Sequence, residues 1–250
     1  MNTYLVFRIA AALASTGDVA AQARRDVERW PARSSVLGIV GAALGLRRDD
    51  TASQTDLQEG YDVGVKVREV GTLLRDYHTV QTVPGSAVKR PDSRAEALWH
   101  GQKKGNLNTI LTEREYREGM YAEVLLHPRG SARWSLNQLA AALQKPAFIL
   151  YFGRKACPLT SPVYPQLVDA EDVRSAFSSY ALLEAHAASP EQSHEKLDTI
   201  MALDEGLTDN FSYEGAERVR RWDAALSRQR WQFAERELIL ITETTGEAAS

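Results

Sequence analysis

Residues 24–50, RRDVERWPARSSVLGIVGAALGLRRDD, place a small, apolar segment between two groups of arginines. The apolar segment begins at Ser34 and Ser35, and either serine can cap a helix that runs to about Leu46. Three glycines interrupt this helix, Gly38, Gly41 and Gly45. Each costs about 1 kcal/mol relative to alanine, which is tolerable if the glycines let the helix lie close against a sheet. The stretch therefore predicts a helix packed on a sheet, with basic side chains at both ends.

Strands are predicted on both sides of this helix. Residues 3–10 and 61–70 alternate apolar and polar side chains with a period of two, as half-buried strands do. Residues 120–127 predict a strand that ends at Pro128, 134–143 a helix that ends before Pro146, and 148–152 a short apolar strand. Residues 83–105 are rich in Gly, Pro and basic residues and are typical of an exposed excursion, such as a hairpin. This order is the split βαβ pattern of ferredoxin-like and RNA-recognition folds.

Composition limits the class of protein. The chain has 250 residues, of which 44% are apolar and 25% charged, as in ordinary globular proteins. Its one cysteine, Cys157, excludes an internal disulfide and a multi-cysteine metal site, and it fits a reducing compartment. The apolar N-terminus has no preceding Lys or Arg and is interrupted by Arg8, which is unlike a secretory signal. The apolar part of the glycine-rich segment is too short to cross a bilayer, so we expect a cytoplasmic protein without membrane contact.

Charge is unevenly distributed along the chain, although the net charge is only −3. Residues 21–155 carry 21 basic and 15 acidic side chains, whereas residues 169–217 carry 2 basic and 12 acidic ones. Because charges more than about 10 Å apart are largely screened at 0.1 M salt, these regions can face different partners. The basic region suits a nucleic acid.

Two motifs in the basic region fit phosphate or base recognition. Ser34 and Ser35 lie at a predicted helix start beside arginines, where exposed N–H groups and guanidinium groups favour an anion. Residues 151–155, YFGRK, join aromatic rings, a glycine and two cations, which can stack a base and hold its phosphate. Each motif also has a purely structural interpretation, as a helix cap and as core aromatics before a charged turn.

His78, beside Asp76 and Tyr77, is a candidate for general acid–base chemistry. Alternation along a strand puts Asp76 and His78 on one face and Tyr77 on the other, which favours a hydrogen-bonded structural histidine. The five histidines are scattered and predict no metal site, and the chain has neither a Walker loop nor a dinucleotide fingerprint, so no cofactor is expected.

Three blocks in order, residues 29–50, 74–80 (LRDYHTV) and 151–160 (YFGRKACPLT), together resemble the CasD family. That family is the subunit of type I-E Cascade that holds the 5′ handle of the CRISPR RNA. The resemblance covers about residues 1–165, and residues 236–242 (RELILIT) more loosely.

The resemblance implies an α+β, ferredoxin-like and RNA-recognition-like (RAMP-type) domain over residues 1–165, with a basic β-hairpin thumb at about 80–116. A C-terminal extension over 166–250 would contain an acidic loop at 184–217 and a late strand at 236–242. We expect RNA contacts from Arg29, Arg33, Ser34, Ser35, Arg75, His78, Lys103, Lys104, Arg114, Tyr151, Arg154 and Lys155.

By this resemblance the protein is a non-catalytic subunit that grips the 5′ handle and caps the filament of backbone subunits. Its partners would be the CRISPR RNA, the backbone and large subunits, and target DNA indirectly through the complex. Two other hypotheses remain. One is a metal-independent endoribonuclease that processes precursor CRISPR RNA, as a type I-C relative does, with His78 as the acid or base and Lys155 or Arg154 steadying the phosphate. The other is a small-molecule enzyme, for which the chain carries no cofactor motif.

Overall fold

The computed structural model describes residues 1–17, 24–85, 91–130, 132–185, 199–208 and 215–243. Within this part of the chain, nine strands join one sheet: β1 (Asn2–Ala14), β2 (Arg24–Arg25), β3 (Tyr61–Glu69), β4 (Thr72–Thr82), β5 (Asn108–Pro128), β6 (Gln166–Ala170), β7 (Thr199–Leu203), β8 (Ala216–Ser227) and β9 (Gln232–Glu243). The helices are α1 (Arg33–Ala43), α2 (Thr51–Glu59), α3 (Arg94–Lys103), α4 (Leu136–Gln144), α5 (Val173–Ala185) and a 3₁₀ turn at Glu205–Leu207.

The sheet runs in the order β6-β1-β5-β3-β7-β9-β8, while β2 and β4 pair with the outer half of β5. The first four strands are antiparallel and follow the ferredoxin-like order, in which the outer strand β6 is the last of the four in sequence. The predicted α+β fold is confirmed. Strands β7, β9 and β8 of the C-terminal extension continue the same sheet beyond β3.

Both faces of the sheet are buried, which differs from the half-buried strands that the sequence predicts. On one face Phe7 and Ile9 of β1 pack in a core with residues of α1 and α4. On the other face Tyr4 and Val6 pack with Phe177 of α5. Tyr4 is polar only at its hydroxyl, so its ring supports burial on the second face as well.

The predicted excursion is a two-stranded arm that carries a helix. Strand β4 pairs with the outer half of β5, from Thr72 opposite Glu118 to Thr82 opposite Asn108. Helix α3 lies between these strands in sequence and is capped by Ser93, whose side chain accepts a hydrogen bond from Glu96 N. We use the word arm for β4, α3 and residues 108–118 of β5.

Two local predictions are wrong. Residues 148–152 are not a strand, because only Tyr151 makes an isolated bridge, to Pro158, and Ile149 is 83% exposed. The fourth strand of the ferredoxin-like order is β6 instead. The predicted acidic loop 184–217 contains the buried strand β7 and the start of β8, while its residues 186–198 and 209–214 lie outside the described residues.

The start of α1 also differs from its prediction. Ala32 is the N-cap, with no side-chain hydrogen bond, so Ser34 and Ser35 lie within the first helical turn. The glycines do not serve close packing on the sheet. A Cβ built on Gly41 would lie 3.4 Å from Leu57 of α2, one on Gly38 would lie 3.6 Å from the guanidinium of Arg228, and Gly45 has a φ of +75° after the helix ends.

Candidate nucleic-acid interface

The loop of residues 151–158 is held tightly at the end of β1. Ser15 N donates to Phe152 O at 3.1 Å, Phe152 N donates to Cys157 O at 2.7 Å, and Cys157 N donates to Arg154 O at 2.8 Å. The side chains of Phe152 and Cys157 are fully buried. Tyr151 and Arg154 are half-buried and Lys155 is exposed. The hydrogen-bonded loop therefore fixes the backbone positions from which these three side chains project.

Gly153 makes this loop possible. Its φ is +83°, in the left-handed region, and a Cβ added there would meet Ser15 O at 2.0 Å. The glycine therefore serves the close approach of two backbone segments, which fixes the position of the following residue, Arg154.

Arg154 lies against the base of the arm. Its guanidinium carbon is 4.7 Å from the centre of the Tyr116 ring, and its Nη1 is buried without a hydrogen-bond partner. Tyr116 and Arg114 project from the same face of β5, about 7 Å apart along the strand. We use the name arm-base cluster for Arg114, Tyr116 and Arg154, together with Tyr151 of the same loop. Tyr116 is 7% exposed and belongs to the core, so the half-buried Arg114, Arg154 and Tyr151 are the members that offer charge and a ring to a ligand. Cations and a phenol ring are the chemistry that binds a phosphate and a base.

His78 lies on the same face of the arm, further out. Its Nε2 is hydrogen-bonded to Asp76, and the two side chains are 41% and 39% exposed. Asp76 is opposite Arg114 in the strand pairing. The sequence therefore correctly placed Asp76 and His78 on one face.

Arg75 and Arg29 lie elsewhere. Arg75 projects from the opposite face of β4, where its Nε donates to Glu115 at 3.0 Å. The other oxygen of Glu115 accepts from Val27 N, which ties residues 24–30 to the arm. Arg29 is exposed, and after burial it is the main cause of a lowered pKa of Arg117.

The outer end of the arm presents a second aromatic and basic group. Lys103 Nζ lies 3.6 Å from the centre of the Trp99 ring, which is 52% exposed and makes an edge contact with His100. Lys103 and Lys104 are both exposed at the end of α3. These predicted residues are thus separated from the arm-base cluster by the length of the arm.

Arg33 is not available to RNA, which corrects its sequence prediction. Its side chain is 6% exposed, and its donors contact Asp204 Oδ2 at 2.8 Å, Gln58 Oε1 at 3.0 Å and the carbonyls of Gln58 and Tyr61. Asp204 also accepts from Arg236, which binds Asp223 in turn. This network joins α1, β3, β8 and β9, so Arg33 is a structural residue.

Ser34 and Ser35 are half-buried in the first turn of α1. Ser35 N donates to Ala32 O at 2.9 Å, and Ser34 O accepts a hydrogen bond from Arg228 Nη2. Sequence reasoning missed Arg228 and Tyr116. The alternation of Arg114 and Tyr116 along one strand could have identified Tyr116, whereas nothing in the sequence brings Arg228 to α1.

The described residues give little support to a metal site, a cysteine nucleophile or a membrane-spanning helix. Among the described residues, no three His, Cys, Asp or Glu side chains are grouped to hold a metal. Burial raises the pKa of the Cys157 thiol, which disfavours the nucleophilic thiolate. Within the same part of the chain, no helix has the length and apolar character needed to cross a membrane.

Comparisons with known proteins show what this chain is similar to. The family model described as CRISPR-associated protein (Cas_Cas5) matches residues 4–239. The Cascade subunit CasD of the CRISPR system of Escherichia coli (strain K12) is 34% identical over 188 residues, which cover 72% of this chain and 78% of that protein.

Two solved structures share the fold. One, described as a CRISPR RNA-guided surveillance complex, has a TM-score of 0.61 at 23% identity and covers 96% of this chain and 90% of its own. The other, described as a crystal structure of a Cas protein, has a TM-score of 0.59 at 23% identity and covers 96% of this chain and 95% of its own.

Proposed function

This chain belongs to the Cas5 family of CRISPR-associated proteins, and on that premise we propose that it is a non-catalytic, RNA-binding subunit of a type I-E Cascade complex. It holds the 5′ handle of the CRISPR RNA in the arm-base cluster. The observation that carries this proposal is the position of the Arg154 guanidinium. A hydrogen-bonded loop holds it over the ring of Tyr116, which shares one face of β5 with Arg114.

The chemistry of the cluster suits a single strand better than a duplex. A guanidinium binds a phosphate through parallel N–H donors, and the half-buried Arg154 side chain lies on the Tyr116 ring. Tyr151 is half-buried and offers a ring for an unpaired base. The remaining predicted contacts are proposed as weaker contacts outside the cluster: Arg29, Ser34, Ser35, Arg75, His78, Lys103, Lys104 and Lys155.

The proposed partners are the CRISPR RNA, the backbone subunit whose filament this chain caps, and the large subunit, with target DNA reached through the complex. A surface that includes Phe148 and Ile149, 48% and 83% exposed, is available for protein contact. The proposed location is the cytoplasm, where CRISPR RNA is found.

The test is the Tyr151→Ala/Arg154→Ala double variant. Base stacking is worth roughly 1–3 kcal/mol, so we expect the affinity for handle-bearing RNA to fall roughly 5- to 150-fold. Filter binding measures the affinity, and circular dichroism checks that the fold is kept. Arg218→Ala, which removes a 63% exposed side chain paired with Glu205, is the matched control and leaves binding unchanged. Equal affinity of the double variant and the wild type would exclude the arm-base cluster as the RNA site.

The endoribonuclease hypothesis has a separate test. Purified protein is incubated with precursor CRISPR RNA in EDTA, and the products are separated on a gel. We expect no cleavage, because within the described part of the chain the exposed His78–Asp76 pair contacts no second group suited to acid–base catalysis. Cleavage that disappears in His78→Ala would replace the non-catalytic proposal with an enzymatic one.

A further inference from the structure

The hairpin of β8 and β9 ends against helix α1. Its turn, residues 228–231, includes Trp231 at a φ of +57°. The guanidinium of Arg228 lies over Gly38, where an added Cβ would be 3.6 Å from Nη1, and Nη2 donates to Ser34 O. The absence of a side chain at Gly38 thus leaves room for a guanidinium on the helix surface.

Arg228 is held there without a compensating charge. Its Nε is buried and has no hydrogen-bond partner. Within the described residues, no carboxylate forms an ion pair with Arg228. Burial, followed by the positive charge of Arg48, lowers the pKa of Arg228 to about 10, whereas Tyr151 acts in the opposite direction.

Arg48 and Trp231 complete this arrangement at the surface. The Arg48 guanidinium carbon is 4.7 Å from the centre of the Trp231 ring, and Phe233 meets the same ring edge-on at 5.7 Å between centres. Trp231 is 57% exposed, so part of the ring remains open to solvent. Two arginines and an exposed indole therefore lie at this turn, and Tyr151 is close enough to Arg228 to favour its charged form.

A buried guanidinium near a second one is costly unless an anion balances them. We propose that Arg48, Arg228 and Trp231 form a second RNA-binding site, which takes a phosphodiester and an adjacent unpaired base of the same strand that contacts Tyr151. The two forks of N–H donors match phosphate oxygens, and the indole face matches a base. An acidic protein segment would satisfy the arginines but leave the indole without a stacking partner. This inference rests on the proposed function, because it extends the path of the RNA beyond the arm-base cluster.

The test uses surface variants, because Arg228 contributes to packing. The double variant Arg48→Gln/Trp231→Ala is compared with Arg220→Gln/Trp222→Ala, which removes an arginine 69% exposed and a tryptophan 58% exposed from the same hairpin. The probe is labelled single-stranded RNA of the cognate CRISPR repeat, and anisotropy is measured across a salt series. We expect the site variant to bind roughly 5- to 150-fold more weakly and its salt slope to fall by about one, while the control variant binds as wild type.

The Tyr151→Ala/Arg154→Ala variant in the same series separates the two claims. If it weakens binding and Arg48→Gln/Trp231→Ala does not, the second site is refuted and the proposed function stands. If neither weakens binding, both fail. If the site variant keeps its RNA affinity but loses association with co-expressed Cascade subunits, the surface is a protein interface and the inference is wrong.

Arg228→Met gives an independent readout. Since Arg228 is largely buried and pairs with no carboxylate of the described residues, we expect this variant to melt no lower than wild type while binding the same RNA more weakly. A lower melting temperature with unchanged affinity would make Arg228 a structural residue and contradict the second site.

Discussion

Arg33 and Arg154 show how similar side chains take different roles through burial. Arg33 is closed within a network of aspartates, and each of its donors that the structure describes has a protein acceptor. Arg154 is half-buried on an aromatic ring, and its Nη1 is enclosed without a hydrogen-bond partner among the described residues. The fold therefore satisfies the donors of the first arginine and leaves one N–H group of the second unpaired.

Arg33→Ala is therefore expected to destabilise the fold. Removing one partner of a buried ion pair leaves the other uncompensated, which lowers the free energy of unfolding by about 3–5 kcal/mol. Urea denaturation measures this change. Arg220→Ala, which breaks an exposed pair with Glu237, should cost less than about 1 kcal/mol. An equal loss of unfolding free energy in the two variants would show that the buried Arg33 network stabilises the fold no more than an exposed ion pair does.

Gly153→Ala is expected to reduce RNA binding by moving Arg154. The added Cβ would meet Ser15 O at 2.0 Å, so the loop must shift away from β1. Filter binding and thermal melting report the effect. Gly119→Ala is the control, because Gly119 has a similar φ of +72° with nothing within 4 Å of an added Cβ. If both alanine variants bind RNA equally, the close approach at Ser15 does not position Arg154.

The environment of His127 leads us to expect that the stability of the fold depends on pH. Burial lowers the pKa of His127, against the opposing charge of Asp62, and its ring lies 5.2 Å from that of Tyr4. Below about pH 6.5 the unfolded chain therefore binds a proton that the folded chain resists. The free energy of unfolding should fall as the pH drops below this value, and fall less in His127→Gln. Urea midpoints at pH 7.5 and 5.5 measure the difference, and equal pH dependence in both proteins would refute it.

At the scale of elements, the outer part of the arm, residues 83–107, is separable from the sheet. Among its described residues only Gly101 is buried. Thr82 pairs with Asn108, so an Asn-Gly turn can replace residues 83–107 without changing the register.

We expect this shortened arm to keep the melting temperature within a few degrees of wild type, because little apolar surface is lost. RNA affinity should fall, since Trp99, Lys103 and Lys104 are removed. Thermal melting and filter binding measure the two effects. Unchanged affinity would remove α3 from the proposed RNA surface, and a collapsed melting transition would show that the arm is part of the core.

The sequence predicted those elements whose own residues determine them. Helix α4 has a Ser135 capping box and β1 alternates cleanly, and both lie where they were expected. Strand β7 was missed because its five residues follow an acidic stretch and owe their burial to β3 and β9. Residues 148–152 were misassigned because an apolar run resembles a strand even when no partner strand is near.

The candidate site was predictable only in part for the same reason. Arg114 is far in sequence from Tyr151 and Arg154, and the resemblance to a family, not a local pattern, named all three. The contact of Arg154 with Tyr116 depends on a loop docking at the end of β1, which no local pattern encodes.

At the scale of the whole molecule, charge is uneven along the chain, because residues 21–155 carry 21 basic and 15 acidic side chains. Described acidic residues such as Asp204 and Asp223 neutralise buried arginines. We expect RNA binding through the remaining basic side chains to weaken steeply as salt increases.

The most direct test of the central claim is photo-crosslinking of CRISPR RNA to this chain within the purified complex, followed by mass spectrometry of the crosslinked peptides. We predict that the 5′ handle crosslinks to the peptides that contain Tyr151 and Tyr116. Handle crosslinks confined to other subunits, or to parts of this chain remote from the base of the arm, would contradict the proposal that this protein holds the handle there.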